Sequence, residues 1–149
     1  MKSANQHQNH GVKTVKQHKD VLDLLEVHNF LNSYPGMAIR PTTGSELVLQ
    51  GNFEFSTQFD QLERIVDSYK LKIIIPVNYP KELPIVRETG NKIPFKPDYH
   101  VNSDGSLCLG SDFRLLWILS KEPSLSSFSK QCLEPYLYSI SYKLKYGAL

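Results

Sequence analysis

The apolar residues of this chain change their spacing twice, and this change constrains the fold more than any other feature of the sequence. From residue 12 to residue 31 they recur at the interval of an amphipathic helix. The helical pattern ends at Ser33-Tyr34-Pro35-Gly36, a sequence that favours a turn. The apolar face of this helix is predicted from Val21, Leu24, Leu25, His28 and Leu31, with Leu22 and Val27 beside them.

Alternating apolar residues then indicate a group of β-strands. The runs 47–50 and 53–55 flank Gly51-Asn52, a dipeptide that favours a hairpin turn or a bulge. Residues 69–75 also alternate, and Ile74 makes both faces apolar, which is typical of a central strand packed on each side. With a short strand at residues 85–88, the pattern predicts an antiparallel meander of three or four strands.

Helical spacing returns near the carboxyl-terminal end of the sequence. Pro135 lies inside this second helical pattern and is expected to kink or split the helix. Strands grouped together, with helices at both ends, predict the α+β class. The residues that define the helical pattern are Leu125, Phe128, Cys132, Tyr136, Ile140 and Leu144, and Tyr136, Tyr138 and Tyr142 are expected to pack against the sheet.

The length and composition of the chain predict one domain. The 149 residues, 40% of them apolar, suit a single core over residues 12–149, preceded by a flexible tail at residues 1–11. Because Gly147-Ala148-Leu149 ends the chain without a polar tail, we expect a fragment of a longer protein. The sequence has no secretory signal, and no apolar run approaches the roughly 20 residues that span a bilayer. These features predict a cytoplasmic protein without a membrane partner.

Charge and cysteine content argue against several further classes of function. The formal net charge of +2 is too small to indicate a nucleic-acid partner. Two cysteines, Cys108 and Cys132, are too few for a disulfide scaffold or a structural zinc site, and we expect neither a metal nor an organic cofactor. The sequence also lacks a glycine-rich phosphate loop, so an ATP-dependent step would belong to a separate protein.

Cys108 lies in the segment with the most information about function. Residues 91–114 have no clear periodicity, and a loop of this length inside a domain tends to carry function. Asp104-Gly105 predicts a tight turn just before Cys108, and His100 lies eight residues upstream of the cysteine. A turn can expose a thiol for nucleophilic chemistry, but these facts alone fit a structural cysteine equally well.

The wider sequence resembles the ubiquitin-conjugating enzyme family over roughly residues 15–140. In that family a Tyr-Pro-x-x-x-Pro turn follows the sheet, and a Gly-x-Ile/Val-Cys-Leu loop carries the thioester cysteine. This chain has the first pattern at residues 79–84, the second at residues 105–109, and Trp117 near the place of a family tryptophan. The resemblance implies a reduced ubiquitin-conjugating (UBC) fold, with an N-terminal helix, an antiparallel meander, the loop of Cys108 as nucleophile, and a C-terminal helix.

His100 marks the main departure from that family. The His-Pro-Asn triplet of the family is absent, residues 98–100 stand in its place, and residues 93–97 form a small insertion. His100 therefore occupies the position of an asparagine that, in the family, stabilises the oxyanion or orders the loop. The resemblance implies these roles for His100, whose imidazole can also donate a hydrogen bond. The residues expected to support the loop are Asn102, Asp104 and Gly105.

Three segments resemble a bacterial branch of the family that acts in antiphage defence, in particular the stand-alone conjugating proteins of short type II CBASS systems. They are residues 88–90, residues 100–110 and residues 132–138. The resemblance implies a transferase that carries the C-terminus of a cGAS-like nucleotidyltransferase on Cys108 and transfers it to a target amine. A bacterial ubiquitin-like protein is the alternative cargo, and a separate activating enzyme would supply either one.

Other interpretations remain open at the level of the sequence. The chain can be a non-catalytic UBC-like binding module, or a cysteine hydrolase that uses Cys108 and His100 and needs a third orienting group. Asp104 and Asp112 flank the cysteine and either cap turns or orient an incoming lysine. Cys132 falls on the apolar face of the last helix, so it is either an inert buried thiol or a redox partner that forms a disulfide with Cys108.

Overall fold

The helices and strands follow the order that the apolar spacing predicts. The computed structural model describes residues 24–147, and in it helix α1 covers residues 24–33. Four strands follow: β1 (Met37–Arg40), β2 (Leu47–Thr57), β3 (Ile65–Ile75) and β4 (Ile85–Glu88). After a 3₁₀ turn come α2 (Asp112–Lys121), α3 (Leu125–Ser127), a π-helical turn (Phe128–Leu133) and α4 (Glu134–Tyr146).

The strands form one open antiparallel sheet in the order β1-β2-β3-β4. Strands β2 and β3 pair over their whole length, from Leu47 opposite Ile75 to Thr57 opposite Ile65. Each strand thus pairs with its neighbour in sequence, as in the predicted meander. Helices lie before and after the sheet, so the α+β class is confirmed. The predicted start of α1 at residue 12 and the predicted tail at residues 1–11 lie outside the described residues.

The core lies between one face of the sheet and the helices. The ring of Tyr34, just after α1, stacks on Phe53 of β2 with centroids 4.2 Å apart. From the other end of the chain, Tyr136 and Tyr138 are buried and Tyr142 is half-buried, which confirms their predicted packing role. The largest fully buried side chains are Tyr69, Tyr138, Phe53 and Phe128.

The buried face of α1 differs from the predicted one. Val27 and Phe30 are buried, whereas Leu24 and His28 are exposed. The buried pair and the exposed pair both have helical spacing. The ring of Phe30 favours the buried face because it packs against Tyr34, at a centroid distance of 5.0 Å. Of the predicted apolar face, Leu25 is also exposed and Leu31 is partly buried, and Val21 and Leu22 lie outside the described residues.

The prediction of a hairpin turn or a bulge at Gly51-Asn52 is wrong. Strand β2 continues through both residues, with Gly51 opposite Leu71 and Asn52 opposite Lys70. Gly51 has a φ of +149°, and a Cβ atom there would lie 2.3 Å from the carbonyl oxygen of Gly36. The glycine therefore allows two backbones to approach closely, and it does not reverse the chain.

Within the described residues, strand β3 is not packed on both faces over its whole length, contrary to the prediction. On the outer face of the sheet Val66 is 76% exposed and Lys70 is exposed. Ile74 lies on the same outer face, in a row between Val48 and Ile85, and is only half-buried. Val48 in this row is buried, so the outer face is covered near this end of β3 and exposed near the other.

The sequence pattern misses two elements, and near Pro135 the helix is irregular but continuous. Strand β1 and helix α2 have no counterpart in the prediction. The helix is widened at Phe128–Leu133, where the backbone N–H of Glu134 bonds to the carbonyl oxygen of Ser129. The backbone stays helical on both sides of Pro135, so the helix is not split there, and the widened turn directly precedes the proline, which has no N–H for the regular helical bond.

A search of residues 24–147 finds no helix that combines the length and the apolarity needed to cross a membrane.

Candidate active site

Residues 100–108 form a small hairpin that carries the cysteine. The backbone N–H of Cys108 donates to the carbonyl oxygen of His100 at 2.8 Å, and that of Asn102 donates to Ser106 at 2.8 Å. Gly105 closes the turn by donating to Asn102 at 2.9 Å, with a φ of +88°. The predicted tight turn at Asp104-Gly105 is therefore confirmed, and it places Cys108 opposite His100.

The turn of this hairpin is held by side chains as well. The carboxylate of Asp104 accepts hydrogen bonds from the hydroxyl and the backbone N–H of Ser106, at 2.6 and 2.9 Å. These two bonds, with the nearby Arg87, hold the pKa of Asp104 below its usual value. Asn102 donates to the hydroxyl of Ser106 at 3.0 Å. Asn102, Asp104 and Gly105 thus all take part in the turn that precedes Cys108.

The hairpin is attached to the edge of the sheet at strand β4. The backbone N–H of Leu107 donates to the carbonyl oxygen of Val86 at 2.8 Å. Arg87 pairs with Ser106 through the backbone, and its guanidinium donates to the carbonyl oxygen of Asp104. Because β4 belongs to the paired sheet, these contacts give the backbone on one side of Cys108 a fixed support.

Helix α4 holds the other end of the hairpin. The 3₁₀ turn Pro97–Tyr99 ends at His100, and the hydroxyl of Tyr136 donates to the carbonyl oxygen of Tyr99 at 2.8 Å. Lys143 donates to the carbonyl oxygen of Asp98 at 2.7 Å. Sequence reasoning misses Arg87, Tyr136 and Lys143 as supports of the loop. Tyr136 and Lys143 lie two helical turns apart, so the sequence places them on one face of the helix. The sequence does not show which part of the chain packs against that face.

Cys108 is half-buried and lines two clefts. The first, the α2 cleft, has a volume of about 490 Å³ and lies between α2 and the turn at residues 81–85. The second, the α4 cleft, has a volume of about 520 Å³ and lies between α4 and the end of the 3₁₀ turn. Cys108, Leu109 and Gly110 line both clefts. A group bonded to Cys108 can therefore be approached from two sides.

The two clefts differ in the character of their walls. Apolar side chains of the α2 cleft include Leu83, Leu107, Leu116 and Phe128, and its charged residues are Lys81, Glu82 and Asp112. The α4 cleft carries Asp98, His100, Ser139 and Lys143, and its wall is the more apolar of the two because Leu109, Pro135, Tyr136 and Ile140 also line it. Both clefts thus combine apolar surface with a few charged groups.

His100 reaches the site through an uncommon backbone conformation. Its φ of +55° and ψ of +48° lie in the left-handed region, and its side chain is exposed and lines the α4 cleft together with Cys108. This region favours glycine, asparagine and aspartate over most residues. An imidazole in this position can donate a hydrogen bond to a group on Cys108 or exchange a proton with it.

Asp112 lies at the start of α2, where Ser111 caps the helix by accepting a hydrogen bond from the backbone N–H of Arg114. The carboxylate of Asp112 is exposed and lines the α2 cleft. A negative charge in the first helical turn is stabilised by the helix dipole, so Asp112 has a structural reason to be there. Its position beside Cys108 also lets it attract a cationic group into the cleft.

Cys132 is separate from this site. Cys132 is 1% exposed and belongs to the core, whereas Cys108 lines both clefts. Burial raises the pKa of the Cys132 thiol, and the charge of Arg114 offsets part of this effect. Both thiols are free. A disulfide between them under oxidising conditions stays a prediction.

Within residues 24–147, no group of three or more His, Cys, Asp or Glu side chains is arranged to hold a metal ion. A scan of the chain against protein-family models finds no match, and a search of curated protein sequences finds no significant one. The function therefore has to be inferred from the residues around Cys108 and their geometry.

Proposed function

We propose that this chain is a ubiquitin-conjugating-like transferase of bacterial antiviral defence with a reduced UBC fold. Cys108 carries an acyl group as a thioester and passes it to an amine. The carried group is the C-terminus of a cGAS-like nucleotidyltransferase, or that of a bacterial ubiquitin-like protein in a related system. The reaction takes place in the cytoplasm, and a separate activating enzyme consumes the ATP.

The order of elements supports the proposal. The family resemblance implies a helix, a four-strand meander, a Tyr-Pro turn, a cysteine loop and further helices, and the described residues follow the same order. The Tyr-Pro turn is anchored because Tyr79 is buried and its hydroxyl donates to the carbonyl oxygen of Ser124 at 2.9 Å. It forms one wall of the α2 cleft through Leu83 and Pro84.

The observation that carries the proposal is the position of Cys108 between the two clefts. A hydrolase needs access for one substrate and for water, whereas a transferase must accommodate a carried group and an acceptor at the same time. Cys108 is half-exposed and lines both clefts, and its hairpin is fixed to β4 on one side and to α4 on the other. Such preorganisation limits the reorganisation that a tetrahedral intermediate requires.

The proposed chemistry has two steps. The Cys108 thiolate attacks the activated carbonyl carbon, a new carbon–sulfur bond forms, and the original leaving group departs as its anion. A neutral lysine amine then attacks the Cys108 thioester, so that a carbon–nitrogen bond forms, the carbon–sulfur bond breaks, and a proton of the amine passes to the Cys108 sulfur. His100, which lines the α4 cleft beside Cys108, donates a hydrogen bond to the oxyanion in both steps.

A gel assay with the purified protein tests this function. Incubation with the proteins encoded by the adjacent genes and with ATP should give an adduct that is sensitive to dithiothreitol. In Cys108→Ser the adduct should become an ester that resists dithiothreitol and yields to hydroxide. Cys132→Ser, whose fold is checked by circular dichroism, is the matched control and should keep the sensitive adduct.

The same assay separates the alternatives. Cleavage of the partner without any adduct indicates a cysteine hydrolase. A stable complex that forms equally with Cys108→Ala, without an adduct or cleavage, indicates a binding module. Either result contradicts the proposed transferase.

A further inference from the structure

Two lysines line the clefts beside Cys108, and their ammonium groups are held very differently. Lys143, in the α4 cleft, donates to the carbonyl oxygen of Asp98 at 2.7 Å and lies 3.8 Å from its carboxylate. Its nitrogen also lies 4.5 Å from the centre of the Tyr99 ring. Lys143 would have to give up these contacts before its nitrogen could react.

Lys81, in the α2 cleft, has an exposed side chain. Among residues 24–147, its ammonium has no ion pair, hydrogen bond or ring contact that would hold it elsewhere. Of the two lysines that line a cleft with Cys108, Lys81 is thus the one whose nitrogen is free to move.

The backbone that carries Lys81 is fixed. Its N–H donates to the carbonyl oxygen of Asn78 at 2.8 Å, and the Asn78 side chain donates to Glu82 at 2.7 Å. Pro84, at the end of the same turn, is buried. The side chain of Lys81 therefore extends from a fixed backbone, and the carboxylate of Asp112, which lines the same cleft as Lys81 and Cys108, attracts its ammonium into that cleft.

We propose that Lys81 is an internal acceptor for the acyl group on Cys108, so that the protein modifies itself when a target amine is absent. This inference rests on the proposed thioester chemistry. The Lys81 nitrogen bonds to the thioester carbon, and the carbon–sulfur bond breaks. The ammonium loses two protons in total, one of which goes to the Cys108 thiolate and the other to solvent. No further reactant is needed.

Self-acylation would limit the activity of the protein. An amine in the same cleft as the thioester reacts at a high effective concentration, so it competes with a target that must arrive by diffusion. The resulting isopeptide leaves the transferred chain attached to the wall of the α2 cleft. Because this cleft adjoins Cys108, a modified molecule would no longer accept a second acyl group.

The test uses the full chain and a probe that needs no activating enzyme, a fluorescein-labelled tetrapeptide aryl thioester that ends in glycine. In the wild type, a dithiothreitol-sensitive label on Cys108 should convert with time into a resistant label that peptide mass spectrometry maps to Lys81. Lys81→Arg should keep the sensitive label and form the resistant one about tenfold more slowly or less. Lys70→Arg, at an exposed lysine on the outer face of the sheet that lines neither cleft, is the matched control and should behave like the wild type.

Each other outcome has a definite meaning. A resistant label that maps to another lysine, or that forms at the normal rate in Lys81→Arg, overturns the self-acylation. So does a sensitive label that decays only by hydrolysis. Absence of a sensitive label in the wild type contradicts the proposed thioester function itself, and a label that persists in Cys108→Ala shows direct chemistry without the cysteine. The melting temperature of each variant confirms that it is folded.

Discussion

The backbone N–H of Cys108 donates to the carbonyl oxygen of His100 at 2.8 Å, so these two residues are joined through their main chains. A substitution at His100 keeps this bond as long as the backbone stays in the left-handed region. The contribution of the imidazole to catalysis can therefore be measured separately from the integrity of the hairpin.

His100→Ala should slow acyl transfer from Cys108 by roughly 10²- to 10³-fold, the range for the loss of one oxyanion donor. His100→Asn should restore part of the rate, because its amide donates a hydrogen bond and asparagine tolerates the left-handed region. His100→Gly removes the imidazole without backbone strain and serves as the control. The measurement is the single-turnover rate of transfer to a lysine. Normal rates in both His100→Ala and His100→Gly would exclude a role for the imidazole.

Cys108→Ala should abolish the adduct and change the free energy of unfolding by less than about 0.5 kcal/mol, because the half-exposed thiol contributes little to the core. Cys132→Ala should cost about 1 kcal/mol or more, because it leaves a cavity in the core. Urea unfolding of both variants measures the difference. A large destabilisation by Cys108→Ala would mean that this cysteine is structural.

The two thiols should also differ in reactivity. Iodoacetamide should modify Cys108 in the folded protein, while burial and a raised pKa protect Cys132 until urea unfolds the chain. Intact mass with and without urea counts the modified thiols. After mild peroxide treatment, a linked Cys108–Cys132 peptide that reductant removes would support the redox pairing, and two separate thiols would end it.

Glu134 should be important for stability, since its carboxylate is 3% exposed and joins three parts of the chain. It accepts hydrogen bonds from Tyr34 at 2.5 Å, Thr57 at 2.6 Å and Lys130 at 3.0 Å. Glu134→Ala would leave two hydroxyl groups without their acceptor, and we expect a loss of about 3 kcal/mol in urea unfolding. Lys130→Ala, which removes the most exposed partner, is the control and should cost less than about 1 kcal/mol. Equal effects of the two variants would contradict this account.

Asp67 should make stability depend on pH in the acidic range. Burial works to raise the pKa of Asp67, but hydrogen bonds from Lys92 and Ser141 outweigh it, so the pKa lies below its ordinary value. The stabilisation is present above the unfolded pKa of about 3.9 and is lost as the pH falls through the lower folded pKa. The urea midpoint of Asp67→Asn should therefore be lower at neutral pH and fall less steeply below about pH 4. Glu54→Gln, on the exposed outer face, should parallel the wild type.

The sequence predicts the parts of this structure that depend on periodicity. The short strand at residues 85–88 has the predicted bounds, and the turn at Asp104-Gly105 lies where expected. Gly51 is misinterpreted because a glycine that closes a turn and one that admits a neighbouring backbone look the same in sequence. The neighbour, Gly36, lies fifteen residues earlier, so only the fold reveals its approach.

In the candidate site, too, the sequence predicts local structure but not the contacts between distant parts of the chain. The hairpin around Cys108 is local and can be read from its own residues, including Asn102 and Asp104. Its attachment to Tyr136 and Lys143 joins parts of the chain that lie more than thirty residues apart, and no local pattern contains that information. The two clefts likewise exist only after the Tyr-Pro turn, α2 and α4 have come together.

The hydrogen bond from Leu107 to Val86 has a consequence for how the protein survives in a cell. Strand β4 is at the margin of the sheet, and a margin with unpaired backbone groups invites the strands of other molecules. The hairpin that carries Cys108 occupies that margin. A substitution that loosens this hairpin would therefore expose a surface for aggregation as well as displace the Cys108 thiol, and aggregation would lower the amount of protein in the cell.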